Sequence, residues 1–162
     1  MRRPGQMARH QNRCPAGGHH GGTGSPGLVP PTREPYGPRV QLRVARQSGR
    51  LDEVVAFYRD GLGLPEVARF VDHAGYSGVM LDVPGTASHL EFTETGHQPV
   101  PTAHVEDLLV FYLGDQDRVD RVLARLGASP VPSANPYWDA VGVTVCDPDG
   151  FRVVLVAASW NP

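Results

Sequence analysis

The 162-residue chain contains one folding unit twice. Val55-Ala56-Phe57-Tyr58-Arg59-Asp60-Gly61-Leu62-Gly63 aligns with Val119–Gly127, and strand-like stretches surround both copies in the same order. A single internal repeat of roughly 55 residues restricts the fold strongly, because each copy must be one supersecondary unit that buries its apolar face against its surroundings. Each unit reads as one helix lying on one face of a curved four-stranded sheet. One sheet face is then covered and the other is free. Two such units side by side form a cupped sheet with a concave, partly polar face, the kind of place where pockets form.

In the first unit, Val40, Leu42 and Val44 alternate with Gln41, Arg43 and Ala45, the pattern of a half-buried strand. Leu51, Val54, Val55, Tyr58 and Leu62 then fall on one face of an amphipathic helix. Gly61 and Gly63 are suited to end it in the left-handed region, and Pro65 prevents it from resuming. Strands are predicted at Glu66–Val71, Gly78–Val83 and Ser88–Thr95, with turns at His73-Ala74-Gly75 and Pro84-Gly85. In the second unit a strand at Asp107–Leu113 precedes a helix capped by Asp115, with Val119, Val122, Leu123 and Leu126 as its apolar face and Gly127 as its stop. Short strands are predicted at Ser129–Val131, Val141–Cys146 and Arg152–Ala158, the last two joined by the turn Asp147-Pro148-Asp149-Gly150. The fold class is α+β, two tandem βαβββ modules making a cupped mixed sheet. Module one spans 39–95, a linker 96–105 and module two 106–160.

Residues 1–38 stand apart. They hold eight Gly and seven Pro without periodicity, so they cannot bury enough apolar surface to offset the entropy of ordering, and a disordered tail is predicted. His19-His20 falls there as part of a solvated segment. The tail carries five Arg and one Glu, so the remaining 124 residues hold a net charge of −6 within the total of −2. An acidic folded part argues against a nucleic-acid partner, which needs clustered positive charge. No apolar run approaches the ~20 residues of a membrane span. Cys14 and Cys146 are far apart and form no CxxC pair, so a reducing cytoplasm is the expected location.

The stretch most suggestive of chemistry is Ser88-His89-Leu90-Glu91-Phe92. Alternation puts Leu90 and Phe92 on a core face and His89 with Glu91 on the other. His89 is a candidate general base or ligand contact, imidazole being the side chain that trades protons most readily near neutrality; the competing reading is a structural histidine satisfied by a nearby carboxylate. Glu91 is the other catalytic candidate. Tyr112 either puts its hydroxyl into the cup or packs at its rim. Tyr137 and Trp138 occupy a Pro-containing loop, where large aromatics serve as ligand walls, a lid or a dimer contact. No GxSxG, Walker or GxGxxG motif is present.

Phe57-Tyr58-Arg59-Asp60-Gly61-Leu62-Gly63-Leu64, His89-Leu90-Glu91-Phe92 and Asp147-Pro148-Asp149-Gly150-Phe151-Arg152 together resemble the vicinal oxygen chelate (VOC) superfamily of glyoxalases, extradiol dioxygenases, and fosfomycin and bleomycin resistance proteins. The resemblance covers about residues 39–160 and implies the glyoxalase/bleomycin resistance fold. Metal enzymes of this superfamily take ligands from the first and last strand of each module. The matching positions are Arg43 (or Gln41, two residues earlier), Glu91, Leu108 and Val154. Guanidinium stays protonated and hydrocarbons have no lone pair, whereas a transition metal wants at least three protein donors. The expectation is therefore no intact metal site and no cofactor, with Glu91, Gln41 and His89 as the candidate metal ligands, and an Arg43–Glu91 ion pair in the metal's place. The implied function is small-molecule binding in a cup lined by Arg43, His89, Glu91, Tyr112, Tyr137 and Trp138. The alternatives are a metal-dependent lyase or dioxygenase anchored on Glu91 and a non-catalytic drug-sequestering protein. Homodimerisation is also implied.

Overall fold

The computed structural model describes residues 41–97 and 102–160. The tail predicted at 1–38 lies outside the described residues, as do 98–101 of the linker.

Module one is a complete βαβββ unit. Its elements are β1 (Leu42–Gln47), α1 (Leu51–Ala56), a π-turn (Phe57–Gly61), β2 (Glu66–His73), β3 (Tyr76–Asp82) and β4 (Ser88–Thr95). The sheet order is β1-β4-β3-β2, with β1 parallel to β4 and the other pairs antiparallel. Leu51, Val54, Val55 and Tyr58 from the helical segment bury against Val79, Leu81, Leu90 and Phe92 from β3 and β4. The Tyr58 and Phe92 rings stack with centroids 4.8 Å apart. Each such fully buried side chain contributes about 1.5–3 kcal/mol relative to exposure.

The helical segment is not one regular helix to Leu62. After Ala56 the chain widens into a π-turn, in which the Leu62 amide donates to the Phe57 carbonyl five residues back. Gly61 lies inside this turn and not at a left-handed stop. Glycine is required there for space, because a Cβ on Gly61 would collide with the Leu126 side chain of module two. The left-handed residue is Gly63, at φ 85°.

Module two comprises β5 (Leu108–Tyr112), α2 (Gln116–Leu126), α3 (Pro136–Val141), β6 (Gly142–Cys146) and β7 (Arg152–Val156). Its sheet order is β5-β7-β6, with β5 parallel to β7. Asp115 caps α2 by accepting from the Arg118 amide, and Gly127 closes it at φ 58°. The strand predicted at Ser129–Val131 does not form as a ladder. The segment lies along the outer edge of β6, held by the Val131 amide to the Thr144 carbonyl and by Arg152 Nη1 to the Pro132 carbonyl. It thereby occupies the place of the fourth strand. The loop predicted around Tyr137 and Trp138 is the helix α3. Asn135 caps it by accepting from the Tyr137 amide, and Pro136 at the first helical position supplies a preset φ.

The modules meet through the π-turn and α2. Arg125 Nε donates to the Gly61 carbonyl at 2.8 Å, beside the Gly61–Leu126 packing. The half-burial predicted for β1 does not hold. Leu42 is 56% and Val44 41% exposed; β1 is the edge strand of its sheet, and Val44 lines an open cleft between the modules. Among the described residues no helix is long and apolar enough to cross a membrane.

Candidate functional site

Parallel pairing of β1 with β4 sets Arg43 level with His89 and Ala45 level with Glu91. Alternation then puts Arg43, His89 and Glu91 on one sheet face, opposite the face where Leu90 and Phe92 meet α1. Arg43 Nε donates to His89 Nε2 at 2.8 Å, and Arg43 Nη1 donates to Glu91 Oε2 at 2.9 Å. Glu91 is buried, at 8% exposure, while half of the Arg43 side chain is open to solvent. In this arrangement His89 Nε2 is an acceptor, which leaves its ring proton on Nδ1. The Arg43 Nη2 group has no hydrogen-bond partner among the described residues. The cluster therefore offers N–H donors to the open face, with the Glu91 charge already compensated behind them.

The remaining candidates belong to other elements. Gln41 precedes β1 and is exposed. Tyr112 ends β5 and is partly exposed. Tyr137 and Trp138 lie on α3, their rings edge-to-face with centroids 5.0 Å apart. No hydrogen bond joins Tyr112, Tyr137 or Trp138 to Arg43, His89 or Glu91 among the described residues. Leu108 begins β5, and Val154 is fully buried in β7. Among the described residues no group of three or more His, Cys, Asp and Glu side chains gathers in a way that could hold a metal ion. The four positions at which this superfamily places ligands present a guanidinium, one carboxylate and two hydrocarbons, and that donor set does not fit a resident transition metal.

The structure also contains a polar cluster that pattern reading missed. Arg46 of β1 reaches into module two, donating through Nη2 to Asp147 Oδ2 and through Nη1 to Asp149 Oδ2 at 3.1 Å. The Tyr58 hydroxyl donates to Asp147 Oδ2 at 2.9 Å. Asp147 Oδ1 accepts from the amides of Asp149 and Phe151, each at 3.0 Å, which shapes the turn. The guanidinium carbon of Arg46 sits 4.0 Å from the Phe151 ring centroid and 5.0 Å from that of Phe92. Burial pushes the Asp147 carboxyl above its ordinary value, and Arg46, Tyr58 and the two amides pull it back only in part. Burial, followed by the Asp147 charge, pushes the Tyr58 phenol well up. The Asp-Pro-Asp-Gly turn was legible as a turn, but nothing in its spacing pointed to an arginine about a hundred residues earlier.

Paired modules of this topology, with polar groups from first and last strands on the open face, define a protein of the vicinal oxygen chelate type. Residues 42–93 match the YycE-like N-terminal domain and residues 106–157 the YycE-like C-terminal domain. The uncharacterised protein YycE of Bacillus subtilis (strain 168) is 42% identical over 121 residues, covering 72% of this chain and 87% of that protein. The 2.0 Å crystal structure of a YycE protein of unknown function from Bacillus subtilis superposes with a TM-score of 0.70 at 41% identity, covering 75% of this chain and 91% of that one. The fosfomycin resistance protein FosX from Mesorhizobium loti shares the fold with a TM-score of 0.55 at 11% identity, over 72% of this chain and 90% of that one. The chain belongs to the YycE-like family, within the vicinal oxygen chelate superfamily.

Proposed function

We propose that this protein binds a small organic ligand on the open face of its module-one sheet, at Arg43, His89 and Glu91, without a resident metal ion. One observation carries the reading: at the position where a metal would compensate Glu91, the Arg43 guanidinium does so directly. A carboxylate this buried needs a positive partner, and a fixed guanidinium removes the need for an ion. The free N–H groups of Arg43 and His89 suit a ligand oxygen, such as that of a carboxylate, phosphonate or carbonyl. Binding of this kind requires neither a nucleophile nor a Lewis acid, and it fits sequestration of a ligand as well as its conversion. A reducing cytoplasm belongs to the same reading, and among the described residues Cys146 forms no disulfide. Homodimerisation belongs to the same reading, and sedimentation of the full chain decides it.

The test is titration of the full chain with phenylphosphonate and with benzoate, followed by thermal shift and by NMR. Saturable binding is expected, weakened at least about tenfold in Arg43→Gln, which removes the charge-assisted donors. Binding that is unchanged in Arg43→Gln would place the ligand elsewhere and refute the assignment.

A further inference from the structure

A cavity lies away from the face that carries Arg43, His89 and Glu91. It is a cleft of about 410 Å³ lined by Val44, Arg46, Leu90 and Phe92 of module one and by Glu106, Asp107, Leu108, Leu109, Phe151 and Arg152 of module two. Val44, Leu90 and Phe92 alternate in sequence with Arg43, His89 and Glu91, so the cleft lies across the sheet from that cluster. Its volume falls in the range of small-molecule sites, and its walls are aliphatic and aromatic with polar groups confined to a few positions.

The charges around the cleft are unequal. Two arginines line it. Arg46 is locked from behind by Asp147 and Asp149, whose side chains are almost entirely inaccessible, so its charge is more than compensated. Arg152 is tied by Nη1 to the Pro132 carbonyl. Glu106 and Asp107 are exposed at the cleft, and neither forms a salt bridge with a described residue. Four carboxylates thus stand against two guanidinium groups, and the two solvent-facing carboxylates share one end. An apolar hollow with a negative rim is complementary to a molecule with an apolar body and a positive end.

We infer that this inter-module cleft is a second binding site, for a small organic amine whose aromatic or aliphatic body lies between Leu90, Phe92, Leu108 and Phe151 and whose ammonium group meets Glu106 and Asp107. The site is independent of the Arg43 cluster, being formed by other side chains on another face.

The probes are 4-phenylbutylamine and its neutral analogue 4-phenylbutan-1-ol, titrated into the full chain and followed by NMR. The amine is expected to bind at millimolar concentration or below, as befits so small a molecule. It should bind about three- to tenfold more tightly than the alcohol, the range set by two solvent-facing charge pairs. Glu106→Gln/Asp107→Asn alters exposed groups only and should bring the amine to the level of the alcohol. Leu108→Trp, checked for folding by circular dichroism, should fill the cleft and weaken both compounds. Arg43→Gln should leave both unaffected, which separates this site from the one proposed above. Equal affinity for the two compounds, no binding of either, or amine binding that survives the double variant and fails in Arg43→Gln would each overturn the inference.

Discussion

Arg46 and Asp147 are separated by about a hundred residues in sequence and joined by an ion pair in the fold. Arg46 belongs to the first strand of module one, and Asp147 opens the turn before the last strand of module two. The Asp147 side chain is fully inaccessible and that of Arg46 retains 16% exposure, so the pair works in a largely dry environment. It connects the two modules at the point where Tyr58 and the turn amides converge on the same carboxylate. Removing one partner leaves the other buried and uncompensated, and such losses cost about 3–5 kcal/mol. Arg46→Met keeps the apolar stem and removes the charge. Urea unfolding is expected to show a loss of about 3 kcal/mol, whereas a change below about 1 kcal/mol would mean that the pair contributes little to module association.

The same carboxylate sets a pH dependence. Because the folded value of Asp147 is raised above its ordinary 3.8, the fold holds this proton more tightly than the unfolded chain does. Its contribution is fully present below the ordinary value and is lost as pH rises through the raised folded value. Asp147→Asn removes this titration. The stability difference between wild type and Asp147→Asn is therefore expected to shift against wild type between about pH 4 and pH 7. Unfolding curves at both pH values test this. A difference that moves in favour of wild type with rising pH would show that Arg46 outweighs burial.

Gly61 and Leu126 pack closely where the modules meet. Gly61→Ala introduces a methyl group that Leu126 must vacate, and overpacking of this kind costs about 1–3 kcal/mol. Leu126→Ala frees the space, so the double variant is expected to be more stable than the sum of the two losses implies. Strict additivity in the cycle would show that Leu126 moves aside freely.

Within the proposed site the two partners are unequally buried, and their loss is expected to be unequal. Arg43→Gln leaves the buried Glu91 without its cation and is expected to cost about 1–2 kcal/mol. Glu91→Gln leaves a half-exposed Arg43 in water and is expected to cost less than about 1 kcal/mol. Thermal and urea denaturation of the two variants give the order directly, and the reverse order would contradict the burial argument.

Much of this architecture was legible in the chain because hydrophobic period and turn residues act locally. The α2 cap at Asp115, its stop at Gly127 and the alternation in β4 are each written within a few neighbouring residues. The contact between Arg43 and Glu91 was accessible only through the family resemblance, which puts both residues at ligand positions on the first and last strand of module one. What escaped depends on distant neighbours. Gly61 reads as a helix stop until Leu126 is placed against it, and nothing local in β1 marks Arg46 as the partner of Asp147 and Asp149. The α3 helix was a different failure. Asn135-Pro136 is a start signal as well as a loop signal, and only capping chemistry separates the two. Leu42 and Val44 remain exposed because the alternation that marks a strand does not specify whether a neighbour covers its apolar face.

The central claim is that Arg43 compensates Glu91 without a metal ion, and metal content tests it most directly. The full chain and Glu91→Gln would be purified without added metal or chelator and analysed by inductively coupled plasma mass spectrometry, with circular dichroism confirming that both are folded. The account predicts metal well below one ion per chain in both proteins and no change in melting temperature on adding a chelator. One ion per chain in the wild type, lost in Glu91→Gln, would contradict it and make Glu91 a metal ligand.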